Sequence, residues 1–233
     1  MFIKEYELRY SDIDNCGKIK TSTVLDLLQD ISIAHADYVG LDSQKFRSVS
    51  VACLLAGWRV RFIKPLDDRK KVTVRTGLMN TTKCEATRKY EIWQNDECKV
   101  IATGVWFTVN TEKMKIARVV DELFAVFESV SEEDNHLPCA KLKPEEGAVL
   151  LGETCVQRRD LDTNNHMNNV KSVEEVLNFV PDNFEISELQ VKYRKELKAG
   201  EPIKIYGKQM DNGYYYEIQN ENNDFCVLVY TLK

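Results

Sequence analysis

RRDLDTNNHMNNVKSVEEVLNFVP, residues 158–181, decides how the chain is read. It gathers Asp162, Asn164, His166, Asn168 and Asn169 in one short polar run, and His166 is one of only three histidines in the protein. Val170, Val173, Val176, Leu177 and Val180 then recur at helical spacing, and Pro181 is expected to end the helix. The polar run therefore sits where a helix begins. Asn168 or Asn169 is the expected N-cap, because an Asn side chain accepts readily from the first free backbone amides.

The same statement is made earlier in the chain. YSDIDNCGKIKTSTVLDLLQDISIAHADYVGL, residues 10–41, again runs Asp-apolar-Asp, polar turn, helix. Val24, Leu27, Leu28, Ile31 and His35 fall on one helical face. The match continues downstream. WRVRFIKPLDDRKKVTVRT (58–76) aligns with LQVKYRKELKAGEPIKIYG (189–207), Val60 with Val191 and Leu66 with Leu197. Each copy reads as strand, turn, strand. Further alternating stretches follow at 83–94 and 98–111 in the first half, and at 213–222 and 225–233 in the second. Each half is thus one helix and several antiparallel strands, an α+β plan in which the helix covers the apolar face of the sheet. Expected boundaries are 1–128 for the first domain, 129–149 for an acidic linker with two prolines and no periodicity, and 150–233 for the second.

Bulk composition narrows the function. The chain has 233 residues and a formal charge of −5, and no basic stretch supports a nucleic-acid role. Seven scattered cysteines without a Cys-x-x-Cys pair read as reduced thiols, and argue against a sulfur-bound metal. No run approaches the roughly 18 apolar residues of a membrane span. The N-terminus has neither an apolar leader nor transit-peptide character, so the expected location is the cytoplasm.

A helix wrapped by a curved antiparallel sheet, present twice in tandem, resembles the double hotdog arrangement. At DLDTNNHMNNVK (160–171) and KYRKEL (192–197) the chain resembles the acyl-acyl carrier protein (acyl-ACP) thioesterases, bacterial type. The resemblance extends over nearly the whole sequence, including LLQDISIAHADYVGL, GWRVRFIKPL and TGVWFTVNTEKMKIARV. It implies hydrolysis of the thioester of fatty acyl-ACP to free fatty acid, with the two hotdogs forming a pseudo-dimer. Its catalytic groups fall on Asp162, Asn164, His166 and Glu196. The cysteine that the family carries beside that glutamate is Leu197 here, so no thiol stands ready for a Cys-His mechanism.

The chemistry suits these residues. Water is a poor nucleophile, and a positioned base contributes about 10² to 10⁴ in rate. Glu196 is the candidate base. Asn164 and His166, two residues apart, are expected to project together from an extended turn and polarise the carbonyl, helped by free amides at the helix N-terminus. Asp162 is expected to orient Asn164 or a backbone amide. The mechanistic alternative is direct attack by Asp162 or Glu196 through an anhydride. Singly, each acid or amide reads as an ordinary turn or cap residue; the combination with Glu196 is what points to catalysis. In the first copy Cys16 and Lys18 replace Asn164 and His166, and Pro65 replaces Glu196, so one active site is expected, with Asp14 a remnant. His35 reads as a packed histidine, and His136 as an exposed linker residue.

By the resemblance, the first half holds the acyl chain. Leu27, Ile31, Val51, Leu54, Leu55 and Trp58 are candidate lining residues, each equally readable as core. Carrier protein is acidic and delivers its substrate on a phosphopantetheine arm. Arg158, Arg159, Lys171, Lys192, Arg194, Lys195 and Lys198 are the candidate basic rim, or simply a solvated face. No cofactor, metal, nucleic acid or membrane partner is implied, and the protein is expected to act as a monomeric pseudo-dimer or a homodimer. Alternative readings are an acyl-CoA thioesterase of the same fold and a non-catalytic acyl-binding regulator. A hotdog dehydratase would carry a His-x-x-x-x-Pro loop, which is missing.

Overall fold

The apolar stripe of the first helical run becomes α1 (Thr21–Tyr38), with Val24, Leu25, Leu27, Leu28, Ile31, Ser32 and His35 buried. The structure, a computed structural model, describes residues 1–67, 71–113, 115–117, 121–131 and 137–233; the side chains of Ser43, Asp121 and Glu122 also lie outside the description, as does His136 entirely. The chain divides into two compact units, Met1–Cys139 and Ala140–Lys233.

In the first unit the strands are β1 (Phe2–Glu7), β2 (Val51–Phe62), β3 (Lys71–Thr81), β4 (Glu85–Gln94), β5 (Glu97–Asn110) and the two-residue β6 (Lys115–Ile116). They pair antiparallel in the order β1-β3-β4-β5-β2, with β6 on β5. Short helices α2 (Ser43–Ser48) and α3 (Asp121–Phe124) complete the unit. The core is knit by Tyr90, fully buried on β4. Its hydroxyl meets Ser32 Oγ of α1 at 2.8 Å and accepts from Trp106 Nε1 at 3.1 Å. Trp58 packs edge-on against Tyr90, and Gly104 makes room for it: a Cβ there would lie 2.6 Å from the indole.

The second unit contains β7 (Val149–Cys155), α4 (Asn169–Leu177), β8 (Glu188–Tyr193), β9 (Pro202–Met210), β10 (Gly213–Asn220) and β11 (Phe225–Leu232). The antiparallel order is β7-β9-β10-β11-β8. Strand for strand this repeats the first unit, so the duplication inferred from sequence is a duplication of topology. The helix α4 buries Val170, Ser172, Val173 and Val176 and packs on β10 and β11. It ends at Leu177, capped by Asn178, four residues before the proline expected to stop it. Val180 therefore lies beyond the helix.

Leu54 and Leu55 are successive residues of β2, and side chains alternate between the faces of a strand, so they do not line one surface together. Leu27, Ile31, Val51, Leu55 and Trp58 are buried core residues, while Leu54 is half-buried.

Candidate active site

The polar loop is organised by two aspartates. Asp160 is buried and accepts from the Gln157 amide at 2.8 Å, closing a one-turn 3₁₀ helix (Arg158–Asp160). Its carbonyl accepts from the Asn168 amide at 2.7 Å. Asp162 accepts from the amides of Asn164 at 2.8 Å and His166 at 3.1 Å, and more weakly from Asn164 Nδ2 at 3.4 Å. Between them Asn165 takes the left-handed conformation, φ 62°, which Asn tolerates. The segment from Asn164 to His166 is consequently a tight turn. The extended geometry that would put both side chains on one side does not form. Asn164 is exposed, and His166 is partly buried, with 25% of its side chain accessible.

A short antiparallel contact then fixes the histidine. Met167 N–H donates to Leu197 O at 2.8 Å, and His166 bridges Lys198. This register brings His166 Nε2 to 3.3 Å from Glu196 Oε2. A carboxylate only accepts, so a hydrogen bond between the two requires the imidazole hydrogen on Nε2. Glu196 stands in the loop after β8, not within the strand as the sequence pattern suggested, and 44% of its side chain is accessible. An ion pair this exposed adds on the order of 0–1 kcal/mol to stability. Folding alone gives little reason for the pair.

The expectation of free loop amides is corrected for most of the loop. Asp162 N donates to His166 O, Asn165 N to Asp162 O, Met167 N to Leu197 O and Asn168 N to Asp160 O. The Asn164 and His166 amides go to Asp162, and Asn168 Oδ1 caps Val170 N at 2.8 Å. These amides hold the loop itself. The polarising donors that remain among the named residues are side-chain groups, the Asn164 amide foremost.

The basic candidates separate into two sets. Arg158, Arg194 and Lys198 are exposed, as is Arg159, which leans on Asp160 at 3.8 Å. Lys195 pairs with Asp224, Lys171 with Glu174, and Lys192 Nζ donates to Leu142 O at 3.2 Å. The last is a strut holding the chain near residue 142 to β8. Among the described residues no three His, Cys, Asp or Glu side chains form a metal-binding group, and no helix is long and apolar enough to cross a membrane.

Sequence reasoning missed Arg88. It lies on β4 in phase with Ala86, Tyr90 and Ile92, the inward-facing positions, and it is buried. A charge in the apolar phase of a strand was the available signal.

Comparison with known proteins agrees with this architecture. The chain is 24% identical over 215 residues to a chloroplastic acyl-[acyl-carrier-protein] hydrolase of Cuphea viscosissima, covering 84% of this chain and 50% of that protein. It is 24% identical over 217 residues to a chloroplastic palmitoyl-acyl carrier protein thioesterase of Gossypium hirsutum, covering 84% and 52%. The chain thus spans about half the length of the curated relatives it matches. In fold it is similar to the 12:0-ACP thioesterase from Umbellularia californica, with TM-score 0.86 at 16% identity, covering 99% of this chain and 96% of that one. An acyl-ACP thioesterase from Bacteroides thetaiotaomicron gives TM-score 0.84 at 16% identity and the same coverage. These neighbours share the tandem hotdog fold. The models of the acyl-ACP thioesterase N-terminal and C-terminal domains match residues 1–127 and 146–231, and the chain belongs to the acyl-ACP thioesterase family.

Proposed function

We propose that the protein hydrolyses fatty acyl-ACP to free fatty acid and carrier protein, at a single site in the second unit. The observation that carries this reading is the approach of His166 Nε2 to Glu196 Oε2 at 3.3 Å, beside a loop braced by Asp162. The His166 Nε2–H holds one carboxylate oxygen and leaves the other to face water. Water oxygen bonds to the thioester carbonyl carbon as its proton passes to Glu196. The carbonyl electron pair moves onto oxygen, where the Asn164 side-chain amide donates to it. The carbon–sulfur bond then breaks, and the departing thiolate takes up the proton carried by Glu196. Asp162 acts through Asn164 and His166, whose amides it holds, and is a positioning residue.

The carrier protein's acidic surface would meet Arg158, Arg194 and Lys198, which are exposed. Salt screens such pairing, so kcat/KM on acyl-ACP should fall as ionic strength rises. Rates on matched acyl-ACP and acyl-CoA test the substrate class, and a strong preference for acyl-CoA would overturn it. Single turnover in ¹⁸O-labelled water tests the chemistry. Label is expected in the released fatty acid, and its appearance in a protein carboxylate would favour the anhydride route instead.

A further inference from the structure

The two segments that carry His166 and Glu196 are tied a second time, by a hydroxyl that takes no part in the chemistry. Tyr193, the last residue of β8, donates its phenol hydrogen to Asn169 O, at the first residue of α4, at 3.2 Å. Tyr193 precedes Glu196 by three residues, and Asn169 follows His166 by three. The bond thus joins the same two segments as the Met167–Leu197 contact, a few residues further along. Asn169 O also accepts from Ser172 Oγ at 2.8 Å, so the carbonyl does not depend on Tyr193 for a partner. What the hydroxyl adds is a fixed separation between the start of α4 and the end of β8. Burial pushes the Tyr193 pKa up, so the phenol keeps its hydrogen and remains a donor.

The first copy provides the comparison. With Val60 aligned to Val191, Tyr193 falls on Phe62. Phe62 ends β2 as Tyr193 ends β8, and both are half-buried. The backbone that follows is the same. The amides of Ile63 and Lys64 donate to Lys99 O at 2.8 and 3.2 Å, and those of Arg194 and Lys195 donate to Cys226 O at 2.8 and 3.4 Å. A hydroxyl required by the fold would be required in both copies. The oxygen is present only in the copy that carries an imidazole and a carboxylate, and absent where Lys18 and Pro65 stand in their places. Reacting groups must be held to within about 0.5 Å, and supporting hydrogen bonds outside the reacting set do this.

We infer that Tyr193 is a positioning residue for the hydrolysis, its hydroxyl holding Glu196 in register with His166 through the first residue of α4. The inference rests on the hydrolytic reading. Tyr216 supplies a matched control, because its hydroxyl donates to Phe179 O at 3.1 Å, just beyond the other end of α4. Steady-state hydrolysis of one acyl-ACP and urea unfolding are compared for wild type, Tyr193→Phe, Tyr216→Phe and Glu196→Gln. Tyr193→Phe is expected to lower kcat about tenfold with KM within about twofold of wild type. Tyr216→Phe is expected to keep the wild-type kcat, and the two tyrosine variants should unfold at similar urea midpoints. A kcat for Tyr193→Phe within about twofold of wild type, while Glu196→Gln is slow, would overturn the inference and leave the hydrolytic reading standing. So would an equal loss of kcat in Tyr216→Phe, or a Tyr193→Phe variant that fails to fold while Tyr216→Phe folds, since either makes the hydroxyl an element of stability. An inactive wild type, or a Glu196→Gln variant at the wild-type rate, would remove the hydrolytic reading and this inference with it.

Discussion

The loops entering α1 and α4 are built alike and end differently. In the first, Asp12 accepts from the Arg9 amide at 2.6 Å, and Asp14 accepts from the amides of Cys16 at 2.9 Å and Lys18 at 2.8 Å. In the second, Asp160 and Asp162 make the corresponding bonds to Gln157, Asn164 and His166. Gly17 and Asn165 occupy the same left-handed turn position, φ 78° and 62°. The return bonds match too, Lys20 N to Asp12 O and Asn168 N to Asp160 O. Asp14 holds its loop as Asp162 does. The Asp-x-Asp pattern is a device for entering a helix, and by itself says nothing about catalysis. What distinguishes the second loop is what the device displays: an amide at 164, an imidazole at 166, and Glu196 brought beside it, where the first copy has Cys16, Lys18 and Pro65.

Breaking the distinctive part should have the largest effect. Glu196→Gln and His166→Ala are each expected to lower kcat on acyl-ACP by about 10²- to 10⁴-fold. Because the pair is exposed, thermal unfolding should change by no more than about 1 kcal/mol in either variant. A large loss of stability with modest loss of rate would recast the pair as structural.

Breaking the shared part should separate the two loops. Asp14→Ala and Asp162→Ala each leave two backbone amides without their acceptor; these amides are exposed or half-buried and can turn to water, so the cost is about 0.5–1.5 kcal/mol in denaturant unfolding. Only Asp162→Ala should also lower kcat, by about 10²-fold, because only that loop positions reacting groups. Equal kinetic effects of the two would dissolve the contrast.

His35 gives a pH signature confined to the first unit. The unfolded chain binds a proton near the ordinary value of 6.5, whereas the folded imidazole resists until about 4. In that window the unfolded state binds more protons, so stability falls as pH drops from about 6.5 to about 4. Urea unfolding across this range should show the slope, and His35→Gln should remove its contribution.

The caps supply the smallest contrast. Asn168 accepts from Val170 N, so Asn168→Ala should cost about 1 kcal/mol. Lys20 stands at the equivalent cap and makes no side-chain cap bond, so Lys20→Ala should lie within about 0.5 kcal/mol of wild type. Denaturant midpoints measure both.

Much of the fold was legible because side chains announce it. The buried face of α1 is the stripe from Val24 to His35, and β4 and β5 lie where the alternating segments were read. The edge strands β1 and β7 were not, since nearly every residue in them is exposed and no alternation is written into the sequence. The clustering of His166 with Glu196 was readable only through the family resemblance; its physical cause is a backbone register, Met167 to Leu197, that no side chain encodes. For the same reason the fate of the loop amides could not be read. Which amides remain free depends on main-chain geometry such as the left-handed turn at Asn165.

The central claim is that an imidazole and a carboxylate from the second copy act as one unit on a thioester. A double-mutant cycle in single-turnover hydrolysis of one acyl-ACP, comparing wild type, His166→Ala, Glu196→Gln and the double variant, tests it most directly. Coupled action predicts that the double variant is about as slow as the slower single variant. Fully multiplicative losses, or a double variant that hydrolyses at the wild-type rate, would contradict it.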